Sequence, residues 1–285
     1  MDYGRSIIAI IRERTSRRSY TPQPIAPEIL AALEASAAGL RGPFGGKARV
    51  VLLDTSAWGG ASINALGTYG TIRGARIFMV GMIRRDSRAM EDFGHQFEQL
   101  VLKATDLGLG TCWIGGIFNR TRFAEKAGVG GDEILPAVSP LGYPTPSRSV
   151  ADSVIRWSAG SRQRRPWSEL FFHGGFREAL TPEVAGPYHE ALEMLRWGPS
   201  ASNRQPWRVV KEPGRAVYHL FLCRSRGYDK LIKAVDLQRL DLGIAMSHFE
   251  LASGELGLSG AWQTLAPSVG PLPERTEYIE SWVGT

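Results

Sequence analysis

Apolar residues recur at three- and four-residue spacing through Phe93, Phe97, Leu100, Val101, Ala104 and Leu107. This predicts an amphipathic helix that ends at Gly108 as its C-cap, followed by a short strand holding Cys112 and Trp113. The plan returns between Asp241 and Trp262, where Leu242, Ile244, Met246, Phe249, Leu251 and Leu256 make the helix apolar nearly all round. Such a helix is expected to be buried on several sides. Aligned without a gap at an offset of 149, the two stretches coincide at Asp92/Asp241, Gly94/Gly243, Leu102/Leu251, Leu107/Leu256, Gly108/Gly257, Leu109/Leu258 and Trp113/Trp262. Two unrelated helices share apolar residues by chance, but not an Asp, a Leu-Gly-Leu triplet and a Trp in one order. The pattern reads as an internal duplication, with its two helices packed together at the centre.

Around them the pattern predicts helices near Asp2–Arg14 and Pro27–Ala38, and strands at Arg49–Asp54, Ala75–Ile83 and Pro136–Gly142. In the second half it predicts a helix over Pro182–Trp197, strands at Trp207–Glu212 and Ala216–Arg224, and a last strand near Ser259–Leu265. Gly59–Gly74 is a loop or short helix by its glycines. Mixed helices and strands in each half imply an α+β fold, an α/β sandwich with sheet between helices. The boundary between halves falls within Arg162–Gly175, giving units of 1–172 and 173–285.

Composition narrows the classes. With 285 residues, 43% hydrophobic and 22% charged, the chain can bury a large core and is not a disordered one. Its longest apolar stretch, Ala75–Ile83, is under half of the roughly 20 residues that a membrane span needs. Ile7–Ile11 is too short for a signal peptide and runs straight into Arg12, Glu13 and Arg14. Cys112 and Cys223 are far apart and lack metal-ligand spacing, so neither a disulfide framework nor a metal site is expected, and a reducing cytoplasm is. Net charge is +6 but uneven: residues 1–170 carry 22 basic against 15 acidic residues (+7), and residues 171–285 carry 12 against 13 (−1). The basic residues are scattered among acids, so no nucleic-acid partner is expected.

Three segments carry chemistry. In Arg14-Thr15-Ser16-Arg17-Arg18-Ser19-Tyr20, Arg14 and Arg18 can fork onto a dianion while Ser16 donates a third bond; a solvated basic turn would have the same composition. Pro199-Ser200-Ala201-Ser202-Asn203-Arg204-Gln205-Pro206-Trp207 gathers backbone and amide donors at a helix–strand junction and can lie flat against a planar heteroaromatic ring. An ordinary loop with an Asn cap and a buried Trp is its plainer reading. Ser161-Arg162-Gln163-Arg164-Arg165-Pro166-Trp167 reads by itself as a basic linker. His95, His173, His189, His219 and His248 are dispersed and read as structural or surface groups, and Cys112 as a small buried hydrophobe.

Together these segments resemble the flavin-dependent nitroreductase family. Its signature Arg-x-Ser-x-Arg plus an aromatic residue is met by Arg14, Ser16, Arg18 and Tyr20, and Pro-Ser-x-x-Asn-x-Gln-Pro-Trp by residues 199–207. Gly-Leu-Gly-Thr-Cys-Trp-Ile-Gly-Gly at 108–116, Leu141-Gly142-Tyr143-Pro144, and the tail from Arg165 to Leu170 also fit. The family keeps both signatures in one protomer and builds each flavin site from two subunits; here they lie in different halves. At an offset of 155, Arg14, Ser16 and Arg18 fall on Glu169, Phe171 and His173; at 159, Pro199, Ser200, Asn203, Gln205 and Trp207 fall on Leu40, Arg41, Phe44, Gly46 and Ala48. Each half has kept what the other lost, as in a fused pseudo-dimer with one composite site.

The resemblance implies a nitroreductase-like fold with central helices against antiparallel-type sheets, and FMN as cofactor. Arg14, Thr15, Ser16 and Arg18, with Arg164 and Arg165, would hold the phosphate. Pro199, Ser200 and Ala201 would line the ring and ribityl, with Asn203 and Gln205 shaping that loop. Backbone N–H groups of Gly115 or Gly116 would approach N5, and Thr71 the pyrimidine edge. NAD(P)H would donate hydride and a small nitroaromatic or quinone-like acceptor would take the electrons, with no protein catalytic group and no metal, in a monomer mimicking a homodimer. The alternative is a non-catalytic carrier or sensor that binds flavin on the same scaffold.

Overall fold

The computed structural model describes residues 1–56, 58, 72–116, 118–146, 163–226 and 235–285. In the first half, helix α1 (Ile7–Glu13) is followed by α2 (Pro27–Ala38), β1 (Arg49–Asp54), β2 (Ile77–Arg84) and α3 (Ala89–Asp106). Then come β3 (Gly110–Thr111), α4 (Arg120–Ala127) and β4 (Glu133–Gly142). A tail of α5 (Trp167–Leu170) and β5 (Phe171–His173) leads into α6 (Pro182–Ala185) and α7 (His189–Trp197). The chain closes with β6 (Trp207–Lys211), β7 (Val217–Cys223), α8 (Leu237–Glu255), β8 (Gly260–Gln263) and β9 (Thr276–Gly284).

Two sheets result, with strand orders β1-β2-β4-β3 and β5-β6-β7-β9-β8. Strip β5 from the second and the two orders correspond strand for strand, every neighbour antiparallel. The tail supplies the exception, since β5 adds parallel to β6 and so carries residues 171–173 into the second sheet.

The central helices α3 and α8 cross where the sequence repeat has glycine in both copies. A Cβ on Gly94 would stand 2.1 Å from the Leu240 carbonyl oxygen, and one on Gly243 would stand 2.0 Å from that of Glu91. Any side chain at either place would drive backbone into backbone, so the crossing demands glycine twice. Each helix also fills the other half's core: Leu102 of α3 packs with Phe171, Leu195 and Trp207, while Leu237, Leu240 and Ile244 of α8 pack with Phe93 and Phe97. This is the α+β arrangement expected, with antiparallel sheets around a helical centre.

Several elements differ from the sequence reading. The helix expected over Pro182–Trp197 is broken: Gly186 takes φ 57°, Pro187 has no N–H to give, and a 3-10 turn at Gly186–Tyr188 separates α6 from α7. The strand near Ser259–Leu265 is the short β8 and is not the last; β9 follows and lies between β7 and β8. α4 was not foreseen; Asn119 caps it through the N–H of Arg122, and Gly128 ends it. α1 begins at Ile7, with Ser6 as its cap, and not at Asp2. Cys112 is buried one residue beyond β3 and is not within a strand. Most of Gly59–Gly74 lies outside the described residues. No helix among the described residues is long and apolar enough to cross a membrane.

Candidate functional site

α1 ends at Arg14, and the next residues run along the first sheet. Arg17 N–H donates to the Thr111 carbonyl at 2.7 Å, Ser16 forms a bridge to the same residue, and the Arg18 carbonyl accepts from Arg73 N–H at 2.8 Å. Tyr20 donates its hydroxyl to the Arg17 carbonyl at 2.6 Å, closing the turn. Thr15, Ser16 and Arg18 are half-buried. Arg14 turns inward: its side chain is 7% exposed and its Nε lies 3.8 Å from Glu98 Oε1. That Nε has no hydrogen-bond partner among the described residues, an orphaned cationic donor of the kind that an anion satisfies. Glu98 is fully buried, accepts the Trp113 indole N–H at 2.6 Å and pairs with His248 Nε2 at 2.9 Å.

The segment 199–207 joins α7 to β6 through three left-handed residues, Ser202 (φ 50°), Asn203 (φ 53°) and Gln205 (φ 49°). Outside glycine this conformation costs about 1–2 kcal/mol per residue, so the loop must be held. Ser200 Oγ accepts from Gln205 N–H at 2.9 Å, and Gln205 Nε2 donates to the carbonyl and the side-chain oxygen of Asn203, both at 3.2 Å. From α8, Asp241 takes the Ala201 N–H on both oxygens, at 3.0 and 3.1 Å. Burial pushes the Asp241 carboxyl well above the usual range, with only the Ala201 bond opposing it. Pro199 is half-buried beside the buried Gly198, and Ala201 packs on the core cluster of the first half, which also receives Trp113.

The third segment lies over this loop. Asn203 Nδ2 donates to the Gln163 carbonyl at 2.9 Å, and Gln205 Oε1 accepts Arg165 N–H at 2.8 Å. The two arginines then diverge. Arg165 turns to Glu169 at 3.0 Å and to the Arg204 carbonyl at 3.4 Å. Arg164 donates to the Trp197 carbonyl at 3.0 Å, and its guanidinium is pushed down to about 10 by burial and by the charges of Arg14 and Arg196. It is still cationic at neutral pH. The basic turn after α1, the tail between the halves and the loop before β6 thus form one locality, dense in positive charge.

Gly115 and Gly116 follow Trp113. Their carbonyls accept from Arg120 Nη2 at 2.6 Å and Nη1 at 3.3 Å. A Cβ on Gly115 would meet Leu237 Cδ2 at 2.8 Å, so this turn touches the start of α8. Thr71 lies outside the described residues. Sequence reading missed Glu98, Arg120 and the role of Asp241, although the coincidence of Asp92 with Asp241 in the repeat was a usable signal for the last.

Residues 6–253 match the family described as "Putative TM nitroreductase". Among solved structures, a protein of Thermotoga maritima MSB8 described as a putative nitroreductase is similar in fold at 19% identity, with a TM-score of 0.60 over 99% of this chain and 95% of that one. A nitroreductase with bound FMN from Bacteroides fragilis NCTC 9343 is matched over 51% of this chain and 92% of its own, at 17% identity and TM-score 0.43. One with bound FMN from Desulfitobacterium hafniense DCB-2 is matched over 50% and 92%, at 16% identity and TM-score 0.42. No curated protein matches. With residues 6–253 of 285 accounted for by one family profile, the chain belongs to that TM nitroreductase family.

Proposed function

We propose that the chain is an FMN-dependent NAD(P)H oxidoreductase of nitroreductase type with one composite flavin site. The observation that carries this is the meeting of the basic turn, the tail and the Asp241-anchored loop, with Arg14 at 7% side-chain exposure and its Nε orphaned, and Arg164 pushed down by burial and by the charge of Arg14. Cationic groups withdrawn from solvent in one locality favour a bound anion. Arg14, Arg164 and Arg18, with Thr15 and Ser16, hold the FMN phosphate; Arg165, engaged by Glu169, holds the tail in place instead. Pro199, Ser200 and Ala201 line the ring and ribityl, and Asn203 with Gln205 keeps that loop in shape. Gly115 and Gly116 present backbone to N5. When bound, FMN supplies the redox chemistry, taking hydride from NAD(P)H and passing electrons to a small nitroaromatic or quinone-like acceptor. The chain's own work is to grip the phosphate, fix the ring and keep one face of the cleft open to donor and acceptor in turn.

The halves 1–172 and 173–285 are copies of one ancestral unit, fused so that a monomer mimics a homodimer. The matched strand orders and the reciprocal glycines of α3 and α8 support that reading. This reading places the chain in the cytoplasm, where thiols such as those of Cys112 and Cys223 stay reduced.

The test is the molar ratio of extracted FMN to polypeptide, followed by addition of NADPH and then of a quinone. The expected result is one FMN per chain, bleached by NADPH and recoloured by the acceptor. A yellow protein that neither NADH nor NADPH bleaches would instead be a flavin carrier or sensor. Colourless protein that takes up no added FMN overturns both.

A further inference from the structure

Arg120 opens α4, next to its Asn119 cap. Its guanidinium is turned back onto backbone carbonyls: Nε to Leu135 at 3.1 Å, Nη2 to Pro136 at 3.1 Å and to Gly115 at 2.6 Å, and Nη1 to Gly116 at 3.3 Å. The Phe118 ring covers it at 4.4 Å. Two of these carbonyls belong to β4 and two to the glycine turn, so one rigid fork ties the turn to the sheet.

The peptide between Gly115 and Gly116 is trans, as are all described peptides. In a trans peptide the carbonyl oxygen and the next N–H lie in one plane and point in opposite directions. Holding the Gly115 oxygen on the Arg120 side therefore turns the Gly116 N–H to the opposite side, away from β4. A charge-assisted bond at the oxygen also polarises the amide and makes its N–H a stronger donor. Two adjacent glycines permit close backbone approach but carry no rotamer or Cβ that would keep the turn in one orientation. The arginine provides what the glycines lack.

We propose that Arg120 is a positioning residue for the flavin: by clamping the Gly115 and Gly116 carbonyls it aims and strengthens the Gly116 N–H that donates to N5. The inference rests on the FMN reading above and deepens it. It assigns Arg120 an effect on the redox balance of the ring, through a peptide, with no contact to the cofactor. The reduced ring carries more negative charge than the oxidised ring, so it gains more from a fixed guanidinium one peptide away.

The experiment uses FMN-loaded full-length protein and measures FMN dissociation constant, melting temperature and two-electron midpoint potential for wild type, R120Q, R120K and R122Q. Uptake of FMN by wild type is checked first, and its failure would sink the flavin reading itself, before any variant is made. R120Q is expected to bind oxidised FMN within about threefold of wild type. Its reduced flavin should be held about tenfold less tightly relative to oxidised, which is a potential about 30 mV lower. R120K keeps the charge but cannot fork across both glycine carbonyls, so a shift of about threefold, or about 14 mV, is expected; this variant carries the test if R120Q does not fold. R122Q, one turn-face away on the same helix, should leave the potential unchanged. A wild-type potential in flavin-loaded R120Q and R120K, with only melting temperature or FMN content reduced, overturns the proposal and leaves Arg120 a structural staple. An equal shift in R122Q also overturns it.

Discussion

The two halves hang a loop on the same aspartate and make opposite use of it. Asp92, at the head of α3, accepts Phe44 N–H at 2.8 Å and Gly46 N–H at 2.6 Å. Asp241, at the equivalent place on α8, accepts Ala201 N–H alone. The first loop is drawn tight: Gly42 N–H donates to the Gly46 carbonyl at 2.9 Å, and a Cβ on Gly42 or Gly46 would collide with the Asp92 carboxylate at 2.0 or 2.3 Å. Its Phe44 lies under the Arg88 guanidinium at 4.6 Å, and Leu40 is buried in the core. The second loop stands open by comparison, with three left-handed residues and the tail 163–165 laid across it. Arg164, within that tail, feels the charge of Arg14. At the mirrored place of Arg14, Glu169 pairs with Arg165, and at that of Ser16, Phe171 is core. A shared anchor with different loops separates what holds the fold from what was free to serve a ligand.

The largest expected effect lies in what the halves share. Gly94→Ala and Gly243→Ala each place a methyl group against a carbonyl oxygen of the opposite helix, and neither backbone can retreat without parting α3 from α8. Each substitution should cost about 3 kcal/mol, the upper end of overpacking effects, in urea unfolding. The comparison is sharpened by their equality: if one glycine tolerates alanine and the other does not, the crossing is not the symmetric element described.

Next come the basic motifs. Arg18→Ala should weaken FMN binding by about 1.5–3 kcal/mol, the scale of one charge-assisted hydrogen bond, read by titrating apoprotein with FMN. His173→Ala, at the position that mirrors Arg18, should leave the affinity unchanged. Unchanged affinity in Arg18→Ala would mean that the phosphate lies elsewhere.

How much of this was legible beforehand follows the range of the interactions. α2 and β1 were readable to the residue because Pro27 opens one and an unbroken Val-Val-Leu-Leu run between Arg49 and Asp54 fills the other, both local signals. The repeat showed the central pair because Asp, Leu-Gly-Leu and Trp are unusual companions. β9 was not legible: Glu277 and Glu280 look like solvent residues, yet Glu280 is buried, accepting Thr264 Oγ1 at 3.1 Å with Arg88 of the other half 3.8 Å away. Glu98 was hidden likewise, because its partners Arg14, Trp113 and His248 come from three distant places in the chain. The three segments were read as motifs; that the tail lies across the loop before β6 is a tertiary fact.

The paired aspartates also differ in titration. Burial lifts both carboxyls above the usual range; Asp92 is restrained by two backbone N–H groups, and Asp241, well above it, by one. A carboxyl raised in the folded state contributes stability that is fully present below the unfolded value of about 3.9 and is lost as pH rises through the folded value. Replacement by Asn removes that loss. From pH 4 to pH 8, Asp241→Asn should therefore gain stability relative to wild type, and Asp92→Asn should gain less, as read from unfolding midpoints at each pH. A steeper dependence at Asp92 would reverse the assignment of the looser loop to Asp241.

The smallest and most local contrast sets Ser200 against Arg41, which occupy equivalent positions in the two loops. Ser200 Oγ accepts the Gln205 N–H at 2.9 Å, tying the start of the loop to its last left-handed residue. Ser200→Ala frees that N–H in a segment already conformationally strained, at a cost of about 1 kcal/mol, and about fivefold weaker FMN binding is expected as the loop spreads. Arg41 donates only to the carbonyl of its neighbour Leu40, at 2.7 Å, a bond that water replaces. Arg41→Ala should change neither FMN content nor affinity and should shift stability by less than about 0.5 kcal/mol. Equal loss of flavin in the two variants would mean that both loops still serve the ligand, and that the closed loop on Asp92 is as much a part of the site as the open one on Asp241.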